Sequence, residues 1–175
     1  MVELDPRIRT ALVSVNPTTE TPAWHGAPTA LGVLRGIRAS VAVWRPYPGA
    51  NNIREIALHI AFWENSVANR ISGEYHLVGF KQRKTGWAVF LDTIDESQWK
   101  DEIALVKATH QRLTQAVTRF DPEMLDRPAG KRTTRNAIEL IHGVAEHTLY
   151  HTAQMEMLKT LAGHNAQPAS PTLVE

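Results

Sequence analysis

His147 and His151 stand four residues apart in a stretch, Glu146-His147-Thr148-Leu149-Tyr150-His151, whose apolar neighbours recur with helical period. On a helix that spacing puts two imidazoles one above the other on a single face. Two rings so placed can share one cation at about 2.0 to 2.1 Å per metal–nitrogen bond. An ion held there with open positions lowers the pKa of a coordinated water or thiol toward neutrality. Such a pair also arises by chance, so the surroundings decide. Both histidines lie on or beside an apolar stripe, where unpaired imidazoles carry a desolvation cost with no compensation. His59 likewise lies beside a buried stripe, between Ile56 and Trp63. Three histidines from two facing helices then make a facial triad inside a bundle.

Other metal and nucleophile chemistries fail on residue type or spacing. The chain has no cysteine, which removes disulfides, cysteine–zinc sites and a cysteine nucleophile. Thr148, not Glu, follows His147, so this is not the zinc-protease helix motif. A ferritin-like di-iron site needs Glu-x-x-His on two helices and two more glutamates. Only Glu139-Leu140-Ile141-His142 fits. Neutral imidazoles around one cation remain the best reading.

The elements that must carry these residues read as helices. Residues 5–15 start one, with Asp5 as cap, Pro6 at the first helical position and Ile8, Leu12 and Val15 as its stripe. Pro17, Pro22 and Pro28 make the next stretch a loop, and a short helix over 28–42 is expected from Leu31, Leu34, Ile37 and Val41. A long helix spans 51–72, capped by Asn51 or Asn52 and stopped by Gly73. Residues 74–95 show no dominant period. A further helix over 96–120 carries a bundle seam of Trp99, Ile103, Val106, His110, Leu113, Val117 and Phe120. The last, over 133–162, is expected to be capped by Thr133 or Thr134 and ended by Gly163, with a disordered tail from His164.

Together these give an all-α four-helix bundle, with a broken N-terminal helix, in one domain over 1–163. The connection between the two middle long helices is about 22 residues, with a reach of about 70 Å, against a helix of about 33 Å. It can therefore bring them parallel or antiparallel. At 175 residues, with 19 basic and 18 acidic side chains and a net charge of +1, the chain has no electrostatic footprint for nucleic acid. No apolar run is long enough to span a membrane. Met1-Val2-Glu3-Leu4-Asp5 lacks a basic flank and an apolar core, so no secretory signal and a cytoplasmic location are expected.

Ala57-Leu58-His59-Ile60-Ala61-Phe62-Trp63, together with Ile141-His142-Gly143-Val144-Ala145-Glu146-His147-Thr148-Leu149-Tyr150-His151-Thr152-Ala153-Gln154-Met155, resembles the DinB/YfiT family of metalloenzymes. The likeness takes in the loop from Pro22 to Pro28 and the Gly86-Trp87 segment. It implies a four-helix bundle, usually dimeric, whose divalent metal is held by three histidines, here His59, His147 and His151. Nickel or zinc is the metal implied first, manganese or iron second. Where many members carry Arg-Gly after the last ligand, this chain has Thr152-Ala153, which removes any anion-binding role of that arginine. Gln154 is kept.

Several residues carry two readings each. His142 fits the family's histidine spacing but lies one residue off the ligand face, which makes it a structural histidine or one that supports a ligand. His110 occupies a seam position and reads as a hydrogen-bonded core histidine. Glu55, four residues before His59, either orients that ring or is a solvated surface acid. Trp24, His25 and Trp63 either line an apolar pocket over the metal or belong to an ordinary core. No catalytic acid or base is apparent beside the triad. The resemblance favours a metal-dependent enzyme acting on a small molecule with a low-molecular-weight thiol, as an S-transferase first and a hydrolase second. The alternative is a non-catalytic metal-binding stress-response module. With no cysteine in the chain, any thiol must come from a cosubstrate.

Overall fold

A computed structural model describes residues 4–18, 21–22, 26, 28–89, 93–129 and 134–165. Among these, every regular element is helical: α1 (Pro6–Val15), α2 (Ala30–Val33), α3 (Ala39–Ala42), α4 (Ile53–Ser72), α5 (Glu96–Thr118) and α6 (Ala137–Asn165), with a 3₁₀ turn at Pro122–Met124. Isolated bridges join Gln82 to Ala88 and Pro128 to Asn136.

The helix starts are set by local chemistry. Asp5 accepts the Arg7 N–H ahead of Pro6. Asn52 with Glu55, and Asp95 with Gln98, form reciprocal capping boxes at α4 and α5, each satisfying two backbone donors that a helix start leaves unpaired. Gly73, at φ 72°, ends α4 in the left-handed conformation that costs a glycine nothing. Three expectations change. The helix expected over 28–42 is split into α2 and α3, because Gly36 turns the chain at φ 73° between them. The last helix starts at Ala137, because Asn136 accepts the Glu139 N–H at 2.9 Å while Glu139 Oε2 accepts the Asn136 N–H at 2.8 Å. It also runs through Gly163, which keeps a negative φ, to Asn165. The tail from 166 onward and Thr133 lie outside the described residues.

Four helices, α1, α4, α5 and α6, make the bundle, with each packed against two neighbours in the cycle α1–α5–α4–α6. Their directions follow from the cross-links. Arg54 grips Glu102 through Nε and Nη2 at 2.8 and 2.6 Å, and Arg112 reaches Asn65 at 3.1 Å. Contacts that rise together along both chains mean that α4 and α5 run parallel, so 73–95 is a crossover along the bundle. Arg7 meets Pro122 and Asp126 while Asn16 meets His110, which makes α1 antiparallel to α5. The pairing of His59 with His151, and of Glu64 with Thr148, makes α6 antiparallel to α4.

The apolar interior falls into two clusters. One gathers α2, α3, the first half of α4, the start of α5 and the end of α6 around Trp99, whose indole N–H donates to the Ile37 carbonyl at 2.8 Å. The other gathers α1 and the opposite halves around Ile8, Leu113 and Ile141. Between them lies a polar level of buried side chains that includes His59, Glu64, Thr109, His151 and Thr152.

Candidate metal centre

His59 on α4 and His147 and His151 on α6 meet where these antiparallel helices face each other. Their ring centroids lie 5.0 Å (His59–His147), 5.0 Å (His59–His151) and 4.4 Å (His147–His151) apart. One ligating atom from each lies within 4.8 Å of the others, so the group could hold a metal ion. His59 and His151 are buried and His147 half-buried.

The electrostatics suit lone-pair donors. Burial pushes His59 down to about 4, against a backbone contact from Gly86, and nearby His151 adds to the fall. Burial, then His151 and His59, also brings His147 to about 4. His151 is lowered by burial despite its bond to Gln154. At neutral pH all three are therefore neutral, the state a metal requires. The Nδ1 atoms of His59 and His147 are buried with no hydrogen-bond partner. A cation answers the cost of burying such ring nitrogens together, so the residues fit a metal on their own chemistry.

Two neighbours hold the rings. His151 Nδ1 donates to Gln154 Oε1 at 2.7 Å, which leaves its Nε2 as the lone-pair nitrogen. Trp87 stacks on His59 with centroids 3.9 Å apart and planes 2° from parallel. Trp87 reaches that position from a tight turn in the crossover, closed by Arg83 N–H to Trp87 O at 2.8 Å and Gly86 N–H to Arg83 O at 2.9 Å. Gly86 sits at φ 82°, and a Cβ there would lie 2.4 Å from Phe62 Cδ1. Only glycine lets the turn approach α4 this closely. Trp63 packs edge-on to His147 and His59, with centroids 6.0 and 6.3 Å away.

The family model of the DinB superfamily matches residues 26–155, a span that contains all three histidines, Trp87 and Gln154. The chain belongs to the DinB superfamily. No curated protein and no solved structure matches it.

In this DinB protein the other candidates lie as follows. Glu55 is committed elsewhere, with its oxygens on Arg45 at 2.7 and 2.8 Å and on the Asn52 N–H at 3.1 Å, so it does not orient His59. His142 is half-buried and outside the cluster. Trp24 and His25 lie outside the described residues. Thr152, at the position where the family likeness implies an arginine, is buried and donates to the Thr148 carbonyl at 2.7 Å.

Two residues escaped the sequence reading. Trp87 entered only within the Gly86-Trp87 segment of the family likeness, with no role toward His59. Glu64 lies in the α4 stripe, four residues after Ile60 and four before Ala68, and an acid at such a position signals a buried partner. That partner is His110, whose Nδ1 faces Glu64 Oε1 at 3.1 Å while its Nε2 faces Asn16 Oδ1 at 3.2 Å. The imidazolium, which donates from both ring nitrogens, suits this pair of neighbours. Burial alone would lower His110, but the Glu64 carboxylate outweighs it and raises the pKa.

Proposed function

We propose that this DinB protein is a metal-dependent enzyme with a three-imidazole site formed by His59, His147 and His151. One observation carries the reading: three neutral imidazoles from two helices converge within reach of one ion, and two of them have buried nitrogens with no partner. The family resemblance points to nickel or zinc first and manganese or iron second, and neutral imidazole donors suit nickel, zinc and iron. When bound, such an ion supplies Lewis acidity and lowers the pKa of a coordinated thiol or water.

The chain's own residues do the rest. Gln154 fixes the His151 tautomer, Trp87 fixes the plane of His59, and both tryptophans keep the centre apolar on their sides. His147, only half-buried, lines a cleft of about 450 Å³ between α4 and α6, through which a small molecule reaches the centre. The reaction proposed is transfer of a low-molecular-weight thiol to an electrophilic carbon. A sulfur–carbon bond forms, the carbon's leaving group departs, and the thiol proton leaves with it or to solvent. No cysteine of the chain competes for the electrophile. Hydrolysis, with water in place of the thiol, ranks second. A homodimer is proposed as well, supported by Tyr150, Met157 and Leu161, exposed at one face of α6 with spacings of seven and four.

Protein purified without an affinity tag and loaded with zinc or nickel should conjugate glutathione or cysteine to chlorodinitrobenzene, and His151→Ala should abolish both metal content and turnover. Stoichiometric metal with no turnover, across thiols and in ester hydrolysis, would favour the non-catalytic metal-binding module.

A further inference from the structure

A cavity of about 530 Å³ lies where α4 and α5 end and α6 begins. Arg70 lines it from the last turn of α4, about 16 Å along the helix from His59, so it is apart from the histidine centre. Arg112 and Arg119 line it from one face of α5, and Arg127 from the chain after the 3₁₀ turn. Arg112 is held in place by neutral acceptors: Asn65 Oδ1 at 3.1 Å, the Glu74 carbonyl at 2.9 Å and Ser72 Oγ at 3.4 Å. Among the described residues no carboxylate forms an ion pair with any of these four guanidiniums, and Glu74 acts on Arg112 only at longer range. Glu74 and Asp121 are the acids of the lining. Glu74 faces His76 at 3.7 Å, and Asp121 accepts the Glu123 N–H at 3.0 Å. The described lining therefore carries a surplus of two positive charges. The helix ends answer little of it, since two C-termini bring about −0.5 each and the α6 N-terminus about +0.5. Most of the remaining lining is apolar. Ile71, Ala116 and Phe120 continue the second apolar cluster into the cavity, and Met124 stands exposed beside them.

We infer that this cavity is a second binding site, for a small phosphate monoester whose dianionic head meets the arginines and whose apolar body lies against Phe120 and Met124. The inference does not depend on the metal-site reading above. A surplus of two charges matches the dianion of a phosphate monoester, whereas a carboxylate would leave one charge unanswered. Guanidinium forks present paired N–H donors to phosphate oxygens. Arg112, already fixed by its neutral acceptors, loses little freedom when an anion arrives. Inorganic phosphate would meet the charge but leave the apolar lining in water. The volume is that of a small-molecule pocket.

Calorimetric titration of the full-length protein with phenyl phosphate, inorganic phosphate and benzoate tests this, at about pH 8, where a phosphate monoester is a dianion. Phenyl phosphate should bind about tenfold more tightly than either of the others, equivalent to about 1.4 kcal/mol. Its affinity should fall as salt rises, because Arg70, Arg119 and Arg127 are exposed. Arg70→Gln combined with Arg119→Gln, both exposed and outside the core, should weaken phenyl phosphate about tenfold or more and benzoate much less. Glu74→Gln, which removes an acid from the lining, should tighten it. His151→Ala should bind phenyl phosphate as wild type does. No saturation in wild type, or unchanged affinity in the double variant, would overturn the site. Loss of binding in His151→Ala would overturn it too, by assigning the phosphate to the histidine centre. Sedimentation with phosphatidate vesicles, without binding of the soluble ester, would overturn it in favour of a lipid headgroup.

Discussion

The polar level between the two apolar clusters contains histidines in opposite states. At His59, His147 and His151, burial with no acid beside the rings drives them toward the neutral form. At His110, a neighbour on α5 in the same bundle, burial acts in the same direction but the Glu64 carboxylate reverses it. The difference is one carboxylate. Neutral rings clustered together are costly in a fold unless something takes their lone pairs. A charged ring between Glu64 and Asn16 is already satisfied and ties α5 to α4 and α1. The first arrangement asks for a ligand, and the second is a structural clamp.

Breaking the clamp should have the largest effect. Glu64 is 2% exposed, and it also accepts from Thr148 on α6 at 3.4 Å. Glu64→Ala lets His110 fall to the neutral form with a ring nitrogen short of its partner, and opens a cavity where a buried side chain stood, which together cost about 3 to 5 kcal/mol. For a domain of this size, that lowers the melting temperature by about 6 to 20 °C. Thermal melts of the metal-free protein check it. A shift of only about a degree or two would show that the pair carries no net stability.

Emptying the cluster should come next. A ligand that binds only the folded state stabilises by about 2.7 kcal/mol at a hundredfold excess over Kd. Chelation should therefore lower the midpoint by about 5 to 11 °C, with helical signal intact below it. His151→Ala should contain no metal and ignore the chelator, whereas His110→Ala should keep both metal and response. Stoichiometric metal in the His151 variant would mean that the ligands are wrongly assigned. Gln154→Leu sharpens the same point more gently. It removes the acceptor that fixes the His151 tautomer, and metal affinity by competition titration should fall about 10- to 100-fold. Unchanged affinity would assign Gln154 to packing alone.

What could be read from the residues alone was what is local. Asp5 with Pro6, Asn52 with Glu55, and the four-residue spacing of His147 and His151 each act within one turn of chain, so type and spacing suffice. The break between α2 and α3 was not legible, because Leu34 and Ile37 keep a helical spacing although Gly36 turns the chain to lay them under Trp99. The α6 start was misplaced because Thr133, Thr134 and Asn136 are all good caps, and the Glu139 partner three residues on decides among them. The parallel course of α4 and α5 depends on how the crossover folds, and so does Trp87, which meets His59 only through that turn. Glu64 was legible in principle, since no solvated acid belongs in an apolar stripe.

The cleanest comparison comes from pH, which moves the two regions in opposite directions. In metal-free protein, His59 and His147 titrate at about 4 when folded and near 6.5 when unfolded. As pH falls below 6.5 the unfolded chain takes up protons first, so stability declines until about pH 4 and then levels. His110 has the reverse sign. Its folded value is raised above 6.5, so its contribution is complete below 6.5 and is lost as pH rises through the raised value. Metal-free stability should therefore peak near 6.5 and fall on both sides. Glu64→Gln, which keeps the shape but removes the charge, should flatten the alkaline limb and leave the acid limb alone. His59→Ala should shrink the acid limb, to which His147 still contributes, and leave the alkaline limb alone. An alkaline limb that survives Glu64→Gln would mean that His110 is not held as an imidazolium, and the contrast between the two regions would then reduce to burial alone.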